Sequence, residues 1–155
     1  MIGCPQLCTF CPQDELKNIY SKNDDKYLSL ENFKNYLSRI PLHVSIHFSG
    51  MSEPWANPNV TAMLQHTLES GYRVSIYSTL IGMKEEDADN VINLITKYRK
   101  KIDRICLHLP DDNGNMRGYK PKSRYFEVLK KFIQLKELSL IREFEIMTMD
   151  WWFRD

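Results

Sequence analysis

Strand-like segments recur in this chain about every thirty residues, the length of one strand-plus-helix crossover unit. The spacing predicts strands over 43–49, 72–79, 102–109 and 143–149. Between them lie stretches with helical periodicity. Ser29 can cap a helix carrying Leu30, Phe33, Leu37 and Ile40 inward, with Pro41 ending it. Asn57-Pro58 starts the next, with Val60, Met63, Leu64 and Leu68 as its apolar stripe and Gly71 just past its end. A helix over 85–100 turns Ala88, Val91, Ile92 and Ile95 inward, and one over 125–138 runs through Phe126, Leu129, Phe132 and Ile133. The segment 111–122 is a polar loop. Strands alternating with helices imply an α/β fold built on a parallel sheet.

The strands themselves alternate. Val44, Ile46 and Phe48 are apolar, whereas Ser45, His47 and Ser49 between them are polar, and Val74-Ser75-Ile76-Tyr77 repeats the pattern. A parallel strand covered by helices on both faces reads apolar throughout. One polar face therefore points to a curved sheet with helices outside and a ligand on the concave side.

Bulk properties exclude several classes. Net charge is +1 over 155 residues, so no strong field draws the chain to nucleic acid or an anionic membrane. No apolar run approaches the ~20 residues needed to cross a bilayer. No secretory pattern opens the sequence, and the expectation is one cytoplasmic domain spanning 1–155. Three of the four cysteines fall in Cys4-Pro5-Gln6-Leu7-Cys8-Thr9-Phe10-Cys11, a tight cluster that reads as a metal site rather than a disulfide framework. Thiolates suit zinc, copper or iron–sulfur. Three thiolates on a cubane leave one iron with an open position, as a substrate-binding metal centre requires. Three cysteines and one histidine closing a structural zinc site in a non-catalytic module is the competing reading.

The C-x3-C-x2-C spacing, with aromatic Phe10 before the last cysteine, resembles the cluster loop of the radical S-adenosylmethionine (radical SAM) superfamily. A second stretch, Phe48-Ser49-Gly50-Met51-Ser52-Glu53-Pro54 at a predicted C-terminal strand end, is similar to that family's Gly-Gly-Glu-Pro region, with Met51 and Ser52 standing where glycines are usual. Active sites of parallel α/β sheets lie at such strand ends. The resemblance implies a partial (β/α)6-type radical SAM barrel with parallel strands, lacking most of the first strand and the sixth strand. It implies a 4Fe-4S cluster on Cys4, Cys8 and Cys11 that reductively cleaves S-adenosylmethionine to a 5′-deoxyadenosyl radical, which abstracts hydrogen from a substrate the sequence does not identify. Gly50, Met51, Ser52 and Glu53 would position the methionine moiety, and Phe10 would pack near the adenine or shield the cluster. Ser78, in a Ser78-Thr79 segment whose region often faces the cofactor, and His108, where the family often places a polar residue, complete the cofactor-binding set. A family member that binds the cofactor without turning over is a further alternative.

The same resemblance implies an electron donor such as flavodoxin or ferredoxin. No second cysteine cluster follows, so no auxiliary cluster is expected. Only three residues precede Cys4 and the chain stops soon after the fifth strand of that barrel, at Trp151-Trp152-Phe153-Arg154-Asp155. The expectation is a fragment, or a short protein that completes its barrel as an oligomer or with a second chain. Lys97 to Lys101 and Lys130-Lys131 read as solvated helix ends and faces.

Overall fold

The computed structural model describes residues 3–20, 26–110, 114–118, 122–137 and 141–148. After a loop containing the three cysteines comes helix α1 (Gln13–Tyr20), then α2 (Leu30–Leu37), strand β1 (Ile46–Phe48), a 3-10 turn (Pro54–Ala56) and α3 (Val60–Glu69). Strand β2 (Val74–Ser78), α4 (Glu85–Lys97), a second 3-10 turn (Arg99–Lys101), β3 (Ile102–Leu109), α5 (Ser123–Glu137) and β4 (Glu143–Thr148) complete the order. The four strands form one sheet in sequence order, every neighbouring pair parallel. The α/β reading and the parallel sheet therefore hold.

Caps explain where several elements start. Ser29 Oγ accepts the Asn32 amide at 3.1 Å and opens α2. Asp87 Oδ2 accepts the Lys84 amide at 3.4 Å at the head of α4. Other boundaries differ from expectation. Helix α2 ends at Leu37 rather than running to Ile40, with Ser38 as its cap. Strand β1 is short, and Val44 lies outside it and is exposed. Helix α3 begins at Val60, because Asn57 Oδ1 takes the Asn59 amide at 3.0 Å and holds Pro58 in a turn before the helix. Helix α4 stops at Lys97, and the basic stretch continues as the second 3-10 turn. Helix α1 was not foreseen: it has eight residues, too few for a convincing period. Asp111, Leu138, Met149 and the aromatic run at 151–153 lie outside the described residues.

The core forms on one face of the sheet. Phe48, Val74, Ile76, Ile105 and Leu107 pack with Met63, Leu64 and Leu68 of α3, Ala88, Val91 and Ile95 of α4, and Val128 and Phe132 of α5. Strand partners put the intervening residues on the opposite face in cross-strand rows: His47, Ser75 and Arg104 in one, and Tyr77, Cys106 and Glu145 in the next. The polar face predicted from alternation is thus the face away from the main core. A register shift after Val74 leaves Asp103 as an extra residue. Its carboxylate takes the Ser45 hydroxyl at 3.0 Å and pairs with Arg73, which ties the N-terminal ends of three strands together.

Candidate functional site

At the C-terminal ends of the strands, the chain turns back across the sheet through the segment that follows β1. Gly50 has φ +124, a conformation side-chain-bearing residues rarely adopt, while an added Cβ would meet nothing within 4 Å. Its glycine is required by backbone shape and not by crowding from the protein. Glu53 then caps the first 3-10 turn and is 3% exposed. Both carboxylate oxygens are filled. Oε1 accepts the Trp55 amide at 3.2 Å and the Ser78 hydroxyl at 2.6 Å, and Oε2 accepts the Thr79 amide at 2.8 Å and the Thr79 hydroxyl at 2.6 Å. Burial pushes its pKa above the usual carboxylate value, and the four donors oppose that shift.

The loop after β2 is pressed into the same knot. Leu80 sits at φ 62 with its amide on Ser78 Oγ at 2.8 Å, and its side chain is buried in the core. Gly82 has φ +88, and a Cβ there would stand 2.9 Å from the Trp55 carbonyl oxygen. Trp55 Nε1 donates to Thr61 Oγ1 at 3.2 Å, and the Thr61 hydroxyl donates to Asp87 Oδ1 at 2.8 Å. A side-chain chain thus links the turn to α3 and α4.

The cysteine loop packs over this knot. Ser52 Oγ donates to the Gly3 carbonyl at 3.1 Å, and Cys11 Sγ lies 4.0 Å from the Met51 carbonyl. Gln6 Nε2 donates to Thr79 Oγ1 at 2.5 Å. On its other side the loop pairs with residues 114–118: Thr9 donates to the Asn115 carbonyl at 2.9 Å, Gly118 donates to the Gln6 carbonyl at 2.8 Å, and Cys8 forms an antiparallel bridge with Met116. A Cβ at Gly118 would overlap the Pro5 carbonyl oxygen, so only glycine permits that approach. Part of the polar segment 111–122 thus folds back to hold the cysteine loop on this side.

A cavity of about 220 Å³ lies between these parts. Every residue singled out from the sequence reaches its wall: Cys4, Cys8, Cys11, Phe10, Gly50, Met51, Ser52, Glu53, Ser78 and His108. Thr79, in the same stretch as Ser78, lines it as well, and so do Gln6, Tyr77 and Met116, which sequence reasoning did not assign to the site. Thr79 and Tyr77 had a signal, since they end a strand whose polar positions alternate. Gln6 and Met116 had none, because only the tertiary fold brings the loop and residues 114–118 together. His108 is half-buried; burial lowers its pKa, which keeps it neutral at neutral pH, and the nearby Glu145 carboxylate opposes this. Cys106 is buried beside Met147, off the cavity, with burial pushing its thiol up to about 11.

The donor set suits an iron–sulfur cubane. None of Cys4, Cys8 and Cys11 is in a disulfide, and all three are half-buried on one wall. Among the described residues no group of three or more His, Cys, Asp and Glu converges on a single metal ion. A cubane makes a different demand, because each thiolate binds a different iron.

No family model matches the chain, and no curated protein matches it. Among solved structures it is similar to the crystal structure of BtrN in complex with AdoMet and 2-DOIA, with a TM-score of 0.51 and 16% identity. The likeness covers 93% of this chain and 53% of that one, so the chain spans about half of that protein's length. At this identity the likeness speaks to the fold alone. Among the described residues no helix is long and apolar enough to cross a membrane.

Proposed function

We propose that this chain is the core of a radical SAM iron–sulfur enzyme, its sheet the greater part of a partial (β/α)6 barrel. The observation that carries the reading is the meeting of two separate stretches. The three cysteines and the turn at 50–53 lie more than thirty residues apart in sequence, yet they wall one cavity at the C-terminal strand ends. The fold likeness to BtrN, whose structure holds AdoMet, supports the same reading.

Cys4, Cys8 and Cys11 would hold a 4Fe-4S cluster, leaving one iron for S-adenosylmethionine. Together the bound groups, given one electron from an external donor, would supply cleavage of the sulfonium carbon–sulfur bond and hydrogen abstraction from a substrate. The protein's own part is placement. Gly50, Met51 and Ser52 present backbone groups to the cavity on a turn that Glu53 locks from beneath. Phe10 supplies an apolar wall that limits water at the thiolates. Ser78 contributes through Glu53, since its hydroxyl is spent on that carboxylate, whereas His108 offers a neutral imidazole at the cavity's edge.

Anaerobic reconstitution tests the proposal. The protein should take up about four irons and four sulfides, with brown charge-transfer absorption. Alanine at any of Cys4, Cys8 or Cys11 should abolish this, and Cys106→Ala should not. Uptake of one zinc with no colour on iron loading would sink the proposal in favour of a structural metal module.

A further inference from the structure

The two stretches that wall the cavity are joined through one threonine. Thr79, in the loop after β2, lines the cavity and is half-buried. Its amide and its hydroxyl both donate to Glu53 Oε2, at 2.8 and 2.6 Å. Its hydroxyl oxygen accepts the side-chain amide nitrogen of Gln6 at 2.5 Å. Gln6 lies midway between Cys4 and Cys8 and is 1% exposed. The Gln6 backbone carbonyl accepts the Gly118 amide at 2.8 Å, so this one residue is gripped both from the floor and from the brace.

The donors run one way along this relay. Thr79 has a single hydroxyl hydrogen, and Glu53, an acceptor-only carboxylate, takes it. The Thr79 oxygen is then left to accept, and Gln6 supplies the donor. Each bond polarises the next, and the one that ends on the carboxylate is charge-assisted. The other ties between the two stretches are longer: Ser52 Oγ to the Gly3 carbonyl at 3.1 Å, and Cys11 Sγ at 4.0 Å from the Met51 carbonyl. Among the described residues, the path from Gln6 through Thr79 to Glu53 is therefore the tightest hydrogen-bonded link from the cysteine loop to the turn at 50–53.

We infer that Gln6 and Thr79 are positioning residues: their hydrogen bond sets where the cysteine loop stands over the turn at 50–53, and so whether one molecule is held by both. The inference rests on the radical SAM reading and adds to it a coupling between the metal-binding loop and the cofactor-binding turn. Neither side chain need touch S-adenosylmethionine. Cys4, Cys8 and Cys11 suffice to hold a cluster, and the relay governs its placement. Loss of the relay should leave the cluster bound and weaken the hold on the cofactor.

Three variants test this. Gln6→Met is close in volume and lacks the donor. Thr79→Val keeps the shape and lacks the hydroxyl, whereas Thr79→Ser keeps the hydroxyl. Each protein is reconstituted anaerobically; iron content and far-ultraviolet circular dichroism report the cluster and the fold. Calorimetry with S-adenosylmethionine, and its titration against the paramagnetic resonance spectrum of the reduced cluster, report placement. Gln6→Met should hold about four irons, as wild type does, yet bind S-adenosylmethionine about tenfold more weakly. Thr79→Val should lose at least as much, and Thr79→Ser should bind as wild type does. The double variant Gln6→Met/Thr79→Val should be no weaker than Thr79→Val alone, because both changes break the same link. Wild-type affinity in fully loaded Gln6→Met, or losses that add in the double variant, would overturn the inference while leaving the radical SAM reading intact. If Gln6→Met does not fold, equal affinity in Thr79→Val and Thr79→Ser overturns it. If neither Gln6→Met nor Thr79→Val holds a cluster, the relay builds the loop and does not place it, which overturns the inference as well. Wild-type protein with an intact cluster and no affinity for S-adenosylmethionine would overturn both, and that result is distinct from the others.

Discussion

The two halves of the cavity wall are built on opposite principles. The half around Glu53 is buried, its carboxylate filled by two amides and two hydroxyls, and Gly82 and Trp55 interlock beneath it. The half around the cysteines is partly exposed, with Leu7 at φ 50 and Phe10 open to solvent, and it is held by a few backbone bonds to residues 114–118 and by single side-chain contacts. This contrast predicts that the first half unfolds only with the core, whereas the second opens without unfolding the domain. A rigid floor can define where a ligand sits, while a loosely tied loop can admit and reorganise around a bound group.

The sharpest way to break this contrast is to remove the centre of the rigid half. Glu53→Ala should cost about 4 kcal/mol in urea unfolding, because the buried amides of Trp55 and Thr79 are left without an acceptor. A loss below about 1 kcal/mol would mean that the knot is not a structural element. Glu53 is thus expected to act on a ligand through the turn it holds, with the backbone of its neighbours making the contact.

A paired substitution sharpens the comparison. Gly82→Ala sets a Cβ against the Trp55 backbone and should cost about 2 kcal/mol of global stability. Gly118→Ala creates an even closer clash, but with the cysteine loop. It should leave the unfolding midpoint nearly unchanged while speeding hydrogen exchange at Thr9 by about tenfold or more. Equal global costs for the two would place both halves in one cooperative unit.

The smallest effect concerns thiol chemistry. In apoprotein at pH 8, Cys4, Cys8 and Cys11 should alkylate in a fast phase. Cys106 should lag, since it is buried and its thiol, pushed up to about 11, stays protonated. The lag should shorten as pH rises towards that value. Mass spectrometry of the labelled chain checks this, and four thiols reacting together would contradict the assignment.

What the sequence disclosed follows the same division. Alternation in β1 and β2 revealed the polar face, because that pattern is local. The stretch at 50–53 could be placed at a strand end because Phe48 closes an apolar run just before it. The cysteines announced themselves by chemistry. Glu53's role as a buried hub was hidden, since Ser78 and Thr79 reach it from another strand. The docking of residues 114–118 was hidden for a plainer reason: a polar loop with two glycines carries no mark of its partner, and Gly118 acquires meaning only beside Pro5. Helix α1 was missed because its eight residues span barely two turns.

The bridge between Cys8 and Met116 also has a consequence in time. On the ribosome, Cys4, Cys8 and Cys11 are made about a hundred residues before the segment that braces them, which follows three of the four strands. At roughly 5–20 residues per second, the thiols wait several seconds before that brace exists. During this interval they are nucleophiles on a loop braced from one side at most, through Ser52 and Thr79. The last event in shaping the site is therefore a late polypeptide closing over an early one, and whatever loads the cysteines meets either a nascent tether or a finished clasp.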